Sequence, residues 1–273
     1  MPEELSKKEK TEQRRAQAAA RISAEKTRER RRRRMIQAGT FLAAVVITAG
    51  IAALAVGNRA EPISSSGPVP AAANVFGGVN TQAPLSEGLN VNAEVIPETV
   101  DGTPPGISAP AEGEPASVVL YVDPNCVHCA EFEGYYGETL KQKAEEGAIS
   151  LETRAIAILD RNSPTNYSSR AANAMACVAD AAPEKYLEFT GAVFENFPSG
   201  ELANQGLIDL AGEHGVDGIS DCVKDGTFRP FVKFTTEAAT EHGITGTPTI
   251  FINGHLWDLQ GGFETVLNEA ITG

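Results

Sequence analysis

Past residue 57 the chain has no second apolar run as long as Met35 to Gly57, which argues against a multi-span membrane protein. Past residue 34 it is poor in positive charge, with 10 Lys and Arg against 30 Asp and Glu. That acidic balance excludes a broad grip on nucleic-acid phosphates. The first 34 residues are basic but contain no aromatic residue on which bases could stack, so nucleic acid is not an expected partner. There are four cysteines and one Cys-x-x-Cys. The next cysteines lie 48 and 93 residues beyond Cys129 and form no second such pair, which argues against a four-ligand zinc site. An internal repeat is also absent.

What is present begins with a charge asymmetry. Residues 1–34 carry 13 Lys and Arg against 6 Asp and Glu, a net +7, while the remainder carries −20. The run Arg30 to Arg34 directly precedes Met35 to Gly57, 23 residues without a charge. At 1.5 Å per residue such a helix is about 35 Å long, enough to span a bilayer. Positive flanking charge stays on the cytoplasmic side. The expectation is therefore a cytoplasmic tail over 1–34, a transmembrane helix over 35–57 and an extracytoplasmic remainder. Ala53-Leu54-Ala55 offers a competing cleavage pattern, but the apolar run is longer than the core of a cleaved signal. Either reading exports residues 58–273.

Residues 58–114 are rich in Pro, Gly, Ser and Ala and read as an extended tether, with an edge strand conceivable near Val91 to Ile96. A folded domain follows over 115–273. Val118 to Val122 reads as a buried strand, and Asp123-Pro124-Asn125 as a turn with Asn125 as helix cap. The helix that follows runs to about Glu146, with Phe132, Tyr136 and Leu140 on its buried face. A strand is predicted over Ile149–Leu159. The stretch from about 165 to 242 gives helices at Ser168–Ala179, Pro183–Asn196, Glu201–Glu213, Ile219–Lys224 and Phe228–His242. A strand at Thr249–Ile252, an Asn253-Gly254 turn, a return over His255–Asp258 and a last helix over Gly262–Ile271 complete the chain. The fold class is α/β with a helical insertion.

The chemistry lies in two short motifs. Cys126-Val127-His128-Cys129 sits at a helix start, where free N–H groups and the helix dipole favour a thiolate. Cys126 is the expected nucleophile, His128 a stabiliser of its thiolate, and Cys129 the more buried resolving sulfur. No cofactor is needed beyond the disulfide these two can form. Gly246-Thr247-Pro248-Thr249 precedes a strand. A cis Pro248 would turn the Thr247 backbone toward the sulfurs, where its N–H and C=O could pair with an extended peptide. The alternative is an edge-strand proline without a site role. Cys177 and Cys222 remain, and a structural disulfide between helices is the preferred reading. A second redox pair or two free thiols are the alternatives. Of Phe194, Phe197, Phe228, Phe231 and Phe234, most read as core, with a few available to line an apolar groove beside Cys126. His242 and His255 read as incidental.

The segments Val118 to Cys129 and Gly243 to Gly254 resemble the two ends of a DsbA-like thioredoxin-fold protein, and the similarity covers about 115–273. The resemblance implies a thioredoxin fold with an inserted helical domain and oxidative folding of unfolded exported proteins. It also implies reoxidation by a quinone-linked membrane partner, DsbB-like or a vitamin K epoxide reductase homologue. The family's nucleophile, resolving cysteine and cis-proline fall on Cys126, Cys129 and Pro248, and its residue before the proline on Thr247. Two positions depart from the common pattern. Val127 stands where many relatives have Pro, and Leu120 stands where many carry a buried acid. Asp123 matches a common family acid. Other activities compatible with the motifs are a reductase or isomerase, for instance in cytochrome maturation, and a non-catalytic chaperone module.

Overall fold

The computed structural model describes residues 63–83, 88–99, 102–259 and 262–273. The anchor expected over 35–57 and the basic tail lie outside these residues. No helix among the described residues is long and apolar enough to cross a membrane.

Two short strands come first, β1 (Ser66–Pro68) and β2 (Asn90–Asn92), paired antiparallel. Then follow β3 (Ala116–Val122), α1 (Val127–Glu145) and β4 (Ile149–Ala155). Five helices form the insertion: α2 (Tyr167–Ala181), α3 (Tyr186–Glu195), α4 (Asn204–Glu213), α5 (Ser220–Asp225) and α6 (Arg229–Glu241). The chain closes with β5 (Thr249–Ile252), β6 (His255–Leu256) and α7 (Phe263–Thr272). The main sheet has the order β4-β3-β5-β6, with β3 parallel to β4 and antiparallel to β5.

Central position makes β3 apolar on both faces, as its continuous hydrophobic run requires. Val118, Leu120 and Val122 pack with Cys126, Cys129, Phe132, Leu140, Phe263 and Leu267 on the side of α1 and α7. Val119 and Tyr121 face the other way, onto Ile107, Ile156, Ala239 and Phe251. A separate core fills the insertion around Met175, Phe189, Val193 and Leu207. Four of the five candidate groove phenylalanines, Phe194, Phe228, Phe231 and Phe234, are buried, and Phe197 is half-buried. None of the buried four presents a surface beside Cys126. Phe194 instead joins the core that contains the active cysteines.

Several expected boundaries shift for local reasons. The strand beginning at Ile149 ends at Ala155 rather than Leu159. Beyond it, Ala157 N–H donates to Thr236 Oγ1 and Leu159 N–H to Asp123 Oδ2, both at 2.9 Å, which pulls the chain out of the sheet into a short 3₁₀ turn over Ile158–Asn162. At the hairpin, Asn253 (φ 47°) and Gly254 (φ 81°) both adopt positive φ, the geometry an Asn-Gly pair favours.

Composition alone reads residues 58–114 as extended tether, yet several residues between Val69 and Ala93 are packed, while most described residues from Glu94 to Glu114 are exposed. Val69, Ala72, Ala73, Val79, Val91 and Ala93 are buried in the insertion core. Val79 pairs with Thr153 through two backbone hydrogen bonds of 2.9 Å, covering the open edge of β4. Asn74 Nδ2 donates to Glu152 Oε2 at 2.9 Å, and Glu152 is in turn ion-paired with the buried Arg154 at 2.6 Å. Small residues hide this behaviour from composition, because Gly77 and Gly78 lie so close to Thr235 and Glu152 that a side chain would collide there. The edge strand expected near Val91 to Ile96 is confined to Asn90–Asn92.

Candidate active site

Helix α1 begins at Val127 with Cys126 in the cap position, in extended conformation (φ −98°, ψ 120°) and without a side-chain capping bond. Asn125, expected as the cap, is turned elsewhere. Its N–H donates to Asp123 Oδ1 at 2.9 Å and its Nδ2 to Glu201 Oε1 at 3.3 Å. No side chain caps the first-turn N–H groups, so they remain to favour negative charge on the Cys126 sulfur. The Cys129 thiol is its strongest stabilising partner, and the Thr247 side chain and the backbone N–H groups of Cys129 and His128 add to it. The first turn of α1 carries no acidic residue to oppose the charge. These donors outweigh partial desolvation and hold the Cys126 thiol down at about 5, from an ordinary 9.0.

Cys129, one turn on, behaves in the opposite way. Burial pushes its thiol well above the ordinary value, and the neighbouring Cys126 sulfur pushes it further. It is 1% exposed. Both cysteines are free, so the pair is present as the dithiol. One sulfur can thus be an anion near neutral pH while the other keeps its proton and shares it with the first.

The Thr247–Pro248 peptide bond is cis. It brings Thr247 C=O to 3.2 Å from Cys126 Sγ, although the two residues are 121 positions apart. The thiol donates to this carbonyl, a contact that the thiolate gives up. Pro248 and Thr247 are half-buried, and strand β5 begins at once with Thr249.

His128 sits differently from its expected role. Its ring is 73% exposed and Nδ1 meets Glu131 Oε2 at 3.1 Å, so His128 favours the Cys126 thiolate through its backbone N–H rather than its imidazole. Among the described residues no group of three His, Cys, Asp or Glu could hold a metal ion. Cys177 and Cys222 form a disulfide joining α2 to α5 inside the insertion, apart from the dithiol.

Two contributors are legible in the sequence only by type, as a turn acid and as buried-face aromatics, without the contacts that give them a part in the site. Asp123 is fully buried, and its carboxylate binds the N–H groups of Asn125 and Leu159, so it staples the loop before Cys126 to the chain after β4. The other is an aromatic cluster, with Phe263 ring centroids 5.0, 4.8 and 5.1 Å from those of Phe132, Tyr136 and Trp257, packing α7 and the β6 loop against α1. Desolvation raises the Asp123 carboxyl from 3.8 to about 6, against the pull of its hydrogen bonds. A folded-state value above the unfolded one means that the native state binds the proton more tightly. The contribution of Asp123 to stability is full below about 4 and is lost as pH rises through about 6. Asp123→Asn should therefore flatten the stability profile between pH 4 and 6. It should also cost about 1–3 kcal/mol at pH 5, because an amide group would face one of the two N–H donors. Urea unfolding of both proteins across this range measures each effect.

Residues 110–269 match the family model described as Thioredoxin. The reduced DsbA of Mycobacterium tuberculosis is 30% identical, with a TM-score of 0.53, over 64% of this chain and 91% of that one. The reduced DsbG of the same organism is also 30% identical, with a TM-score of 0.53, over 64% and 86%. The MdbA thiol-disulfide oxidoreductase of Actinomyces oris shares the fold at 23% identity, with a TM-score of 0.56, over 80% and 98%. No curated protein matches the chain. A dithiol at a helix mouth, faced by a cis-proline loop within a sheet of this order, agrees with those matches, and the chain belongs to the thioredoxin family as a DsbA-like thiol–disulfide oxidoreductase.

Proposed function

We propose that the protein is a membrane-anchored extracytoplasmic oxidase that introduces disulfides into exported polypeptides. The observation that carries this reading is the uncapped start of α1, whose donors converge on the Cys126 sulfur. Donors that stabilise the thiolate act on the reduced form alone, so they favour reduction of the protein and oxidation of its client.

The reaction starts from the Cys126–Cys129 disulfide. A client thiolate attacks Cys126 Sγ, the Cys126–Cys129 bond breaks, and Cys129 leaves and takes up a proton. The client's second thiolate then attacks the client sulfur of the mixed disulfide and displaces Cys126 as a thiolate. Two electrons pass from client to protein, the client gains a disulfide and the protein ends as the dithiol. Thr247 offers backbone hydrogen bonds to an extended client beside the sulfur, a mode that tolerates varied sequence. Return to the disulfide requires an oxidant, for which we assign a quinone-linked membrane partner, DsbB-like or a vitamin K epoxide reductase homologue. Residues 35–57 would hold the chain in the same membrane, with the tail 1–34 on the cytoplasmic side.

Equilibration with glutathione tests the direction. A potential near that of strong oxidants such as DsbA (about −120 mV) supports the oxidase, whereas one near thioredoxin (about −270 mV) supports a reductase or isomerase. The pH profile follows from the Cys126 value. Thiolate absorbance of the reduced protein should appear with a midpoint of about 5. Alkylation of Cys126 should rise with pH through that point and level off well below 9. His128→Ala should leave the midpoint nearly unchanged, because the ring lies away from the sulfur.

A further inference from the structure

Glu201 belongs to the helical insertion, on the stretch between α3 and α4, yet it touches the residue that precedes the nucleophile. Its Oε1 accepts a hydrogen bond from Asn125 Nδ2 at 3.3 Å, across 76 positions of sequence. Its Oε2 accepts one from Thr165 Oγ1 at 2.6 Å. Glu201 is exposed, but it is held from behind. Thr165 Oγ1 in turn accepts from Arg170 Nη2 at 2.8 Å, and Arg170 Nε donates to the Thr165 carbonyl, also at 2.8 Å. Arg170 is buried, and its Nη1 donates to the Leu202 carbonyl at 2.8 Å and to Asn204 Oδ1 at 3.1 Å. One guanidinium therefore ties together the two chain segments that carry Thr165 and Glu201. With Oε2 fixed by Thr165, Oε1 is left aimed at Asn125.

Asn125 stands one residue ahead of the cap position of α1. Asparagine is among the strongest helix caps, because its amide oxygen accepts from the second or third N–H of the helix. A helix start shifted by one residue would make Asn125 the cap, and the N–H groups of Val127 and His128 would be the ones it takes. The His128 N–H is among the donors that favour the Cys126 thiolate. Among the described residues no side chain caps α1. The main chain of the loop is held by Asp123, whose Oδ1 accepts the Asn125 N–H and whose carbonyl accepts the Cys126 N–H, both at 2.9 Å. Neither bond restrains the Asn125 side chain, and that restraint falls to Glu201. A carboxylate only accepts hydrogen bonds, so it also fixes which end of the amide faces the insertion.

We propose that Glu201 is a positioning residue of the redox reaction: it withholds the Asn125 amide from the start of α1 and so reserves the first-turn N–H groups for the Cys126 sulfur. Glu201 acts through Asn125, not on the sulfur itself. The insertion thereby sets how readily a cysteine outside it departs as a thiolate. The proposal rests on the reading that the uncapped helix start gives the protein its oxidising character.

The test is thiolate absorbance of the reduced full chain in detergent against pH, paired with equilibration against glutathione. Glu201→Ala releases the Asn125 amide and should raise the Cys126 midpoint by about half a pH unit, since a cap competes for about one of its N–H donors. The equilibrium with glutathione should shift about threefold toward the oxidised protein, because the reduced form loses the same stabilisation. Glu201→Gln keeps a carbonyl for the Asn125 amide and should hold the midpoint close to that of the wild type. Adding Asn125→Ala to Glu201→Ala removes the competing cap and should return the midpoint to the wild-type value. A contact that is merely structural would lower the thermal midpoint without moving the thiolate. No rise in Glu201→Ala, an equal rise in Glu201→Gln, or a rise that persists in the double variant overturns the proposal. A wild-type midpoint near 9 overturns it together with the oxidase reading, whereas a wild-type midpoint of about 5 that Glu201→Ala does not raise overturns the proposal alone.

Discussion

Cys126→Ser should abolish disulfide transfer to a reduced client, lowering kcat/KM on the order of 10⁴-fold or more, because the hydroxyl cannot form the mixed disulfide through which both electrons pass. Cys129→Ser should behave differently. Cys126 stays a stabilised thiolate, still attacks a disulfide, and is then left in the mixed disulfide with no neighbouring thiol to release it. Incubation of Cys129→Ser with an oxidised client should accumulate a covalent complex that dithiothreitol dissolves. Cys126→Ser should give none. The asymmetry follows from the structure: Cys126, expected to be exposed, is itself buried at 7% but lies against the Thr247 loop, while Cys129 is 1% exposed and holds its proton. Equal trapping by the two variants, measured by non-reducing gel and mass spectrometry, would remove the distinction between attacking and resolving sulfurs. A non-catalytic chaperone would keep its client affinity in Cys126→Ser and show no trapping in either variant.

The same variants separate two sources of the low Cys126 value. The Cys129 thiol is the largest single stabiliser of the Cys126 thiolate. Cys129→Ala should raise the Cys126 midpoint noticeably, while leaving it below 9 because the N–H groups of the first turn and Thr247 remain. Serine at 129 keeps a hydroxyl donor and should restore part of the shift. A comparison of Ala with Ser thus reads the hydrogen bond itself rather than the packing of the site.

The dithiol was legible in the sequence because its chemistry is local. A Cys-x-x-Cys at the start of a helix has its geometry set within one turn, and Cys126 and Cys129 lie where that spacing places them. The helical block was legible for the same reason. Helix α6 runs Arg229–Glu241 where Phe228–His242 reads as helical, and α2 runs Tyr167–Ala181 where Ser168–Ala179 does. Elements decided by distant partners were not legible. Asn125 has the residue type of a cap, but Asp123 and Glu201 take its hydrogen bonds, and the sulfur of Cys126 inherits the donors. His128 stands between the cysteines in sequence, but the helix carries its ring outward to Glu131. Residues 58–114 look like linker because they are rich in proline, glycine, serine and alanine. The packing of Asn74, Gly77 and Val79 depends on Glu152, Thr235 and Thr153, which lie far along the chain. The one signal available was Asn74 followed by Gly77-Gly78, a turn with a hydrogen-bonding side chain and no Cβ to obstruct close approach.

Loss of the Cys177–Cys222 disulfide should destabilise the protein by about 4 kcal/mol, since the bond closes a loop over a sequence separation of 45 residues. That figure comes from the entropy returned to the unfolded chain, and what surrounds the bond decides how much of it is realised. Cys177 is 1% exposed within the insertion core. Asn173 below it donates to the Cys222 carbonyl at 3.5 Å and accepts the Phe228 N–H at 2.8 Å, so α5 and the start of α6 are also tied to α2 by hydrogen bonds. These contacts keep α5 in place when the covalent link is gone. The double variant Cys177→Ala, Cys222→Ala should fold, with its thermal midpoint lowered by roughly 8–15 °C. A large loss is expected because the insertion packs on α1 through α3, and its loosening reaches the helix that carries the dithiol. The Cys126 thiolate midpoint below the transition should nevertheless stay at about 5, because none of its donors belongs to the insertion. Calorimetry gives the stability change and thiolate absorbance the midpoint. A stability loss under about 1 kcal/mol would show that noncovalent contacts alone hold α2 to α5. A shift in the Cys126 midpoint would instead assign the second disulfide a part in the redox chemistry, which the separation of the two sites in the fold argues against.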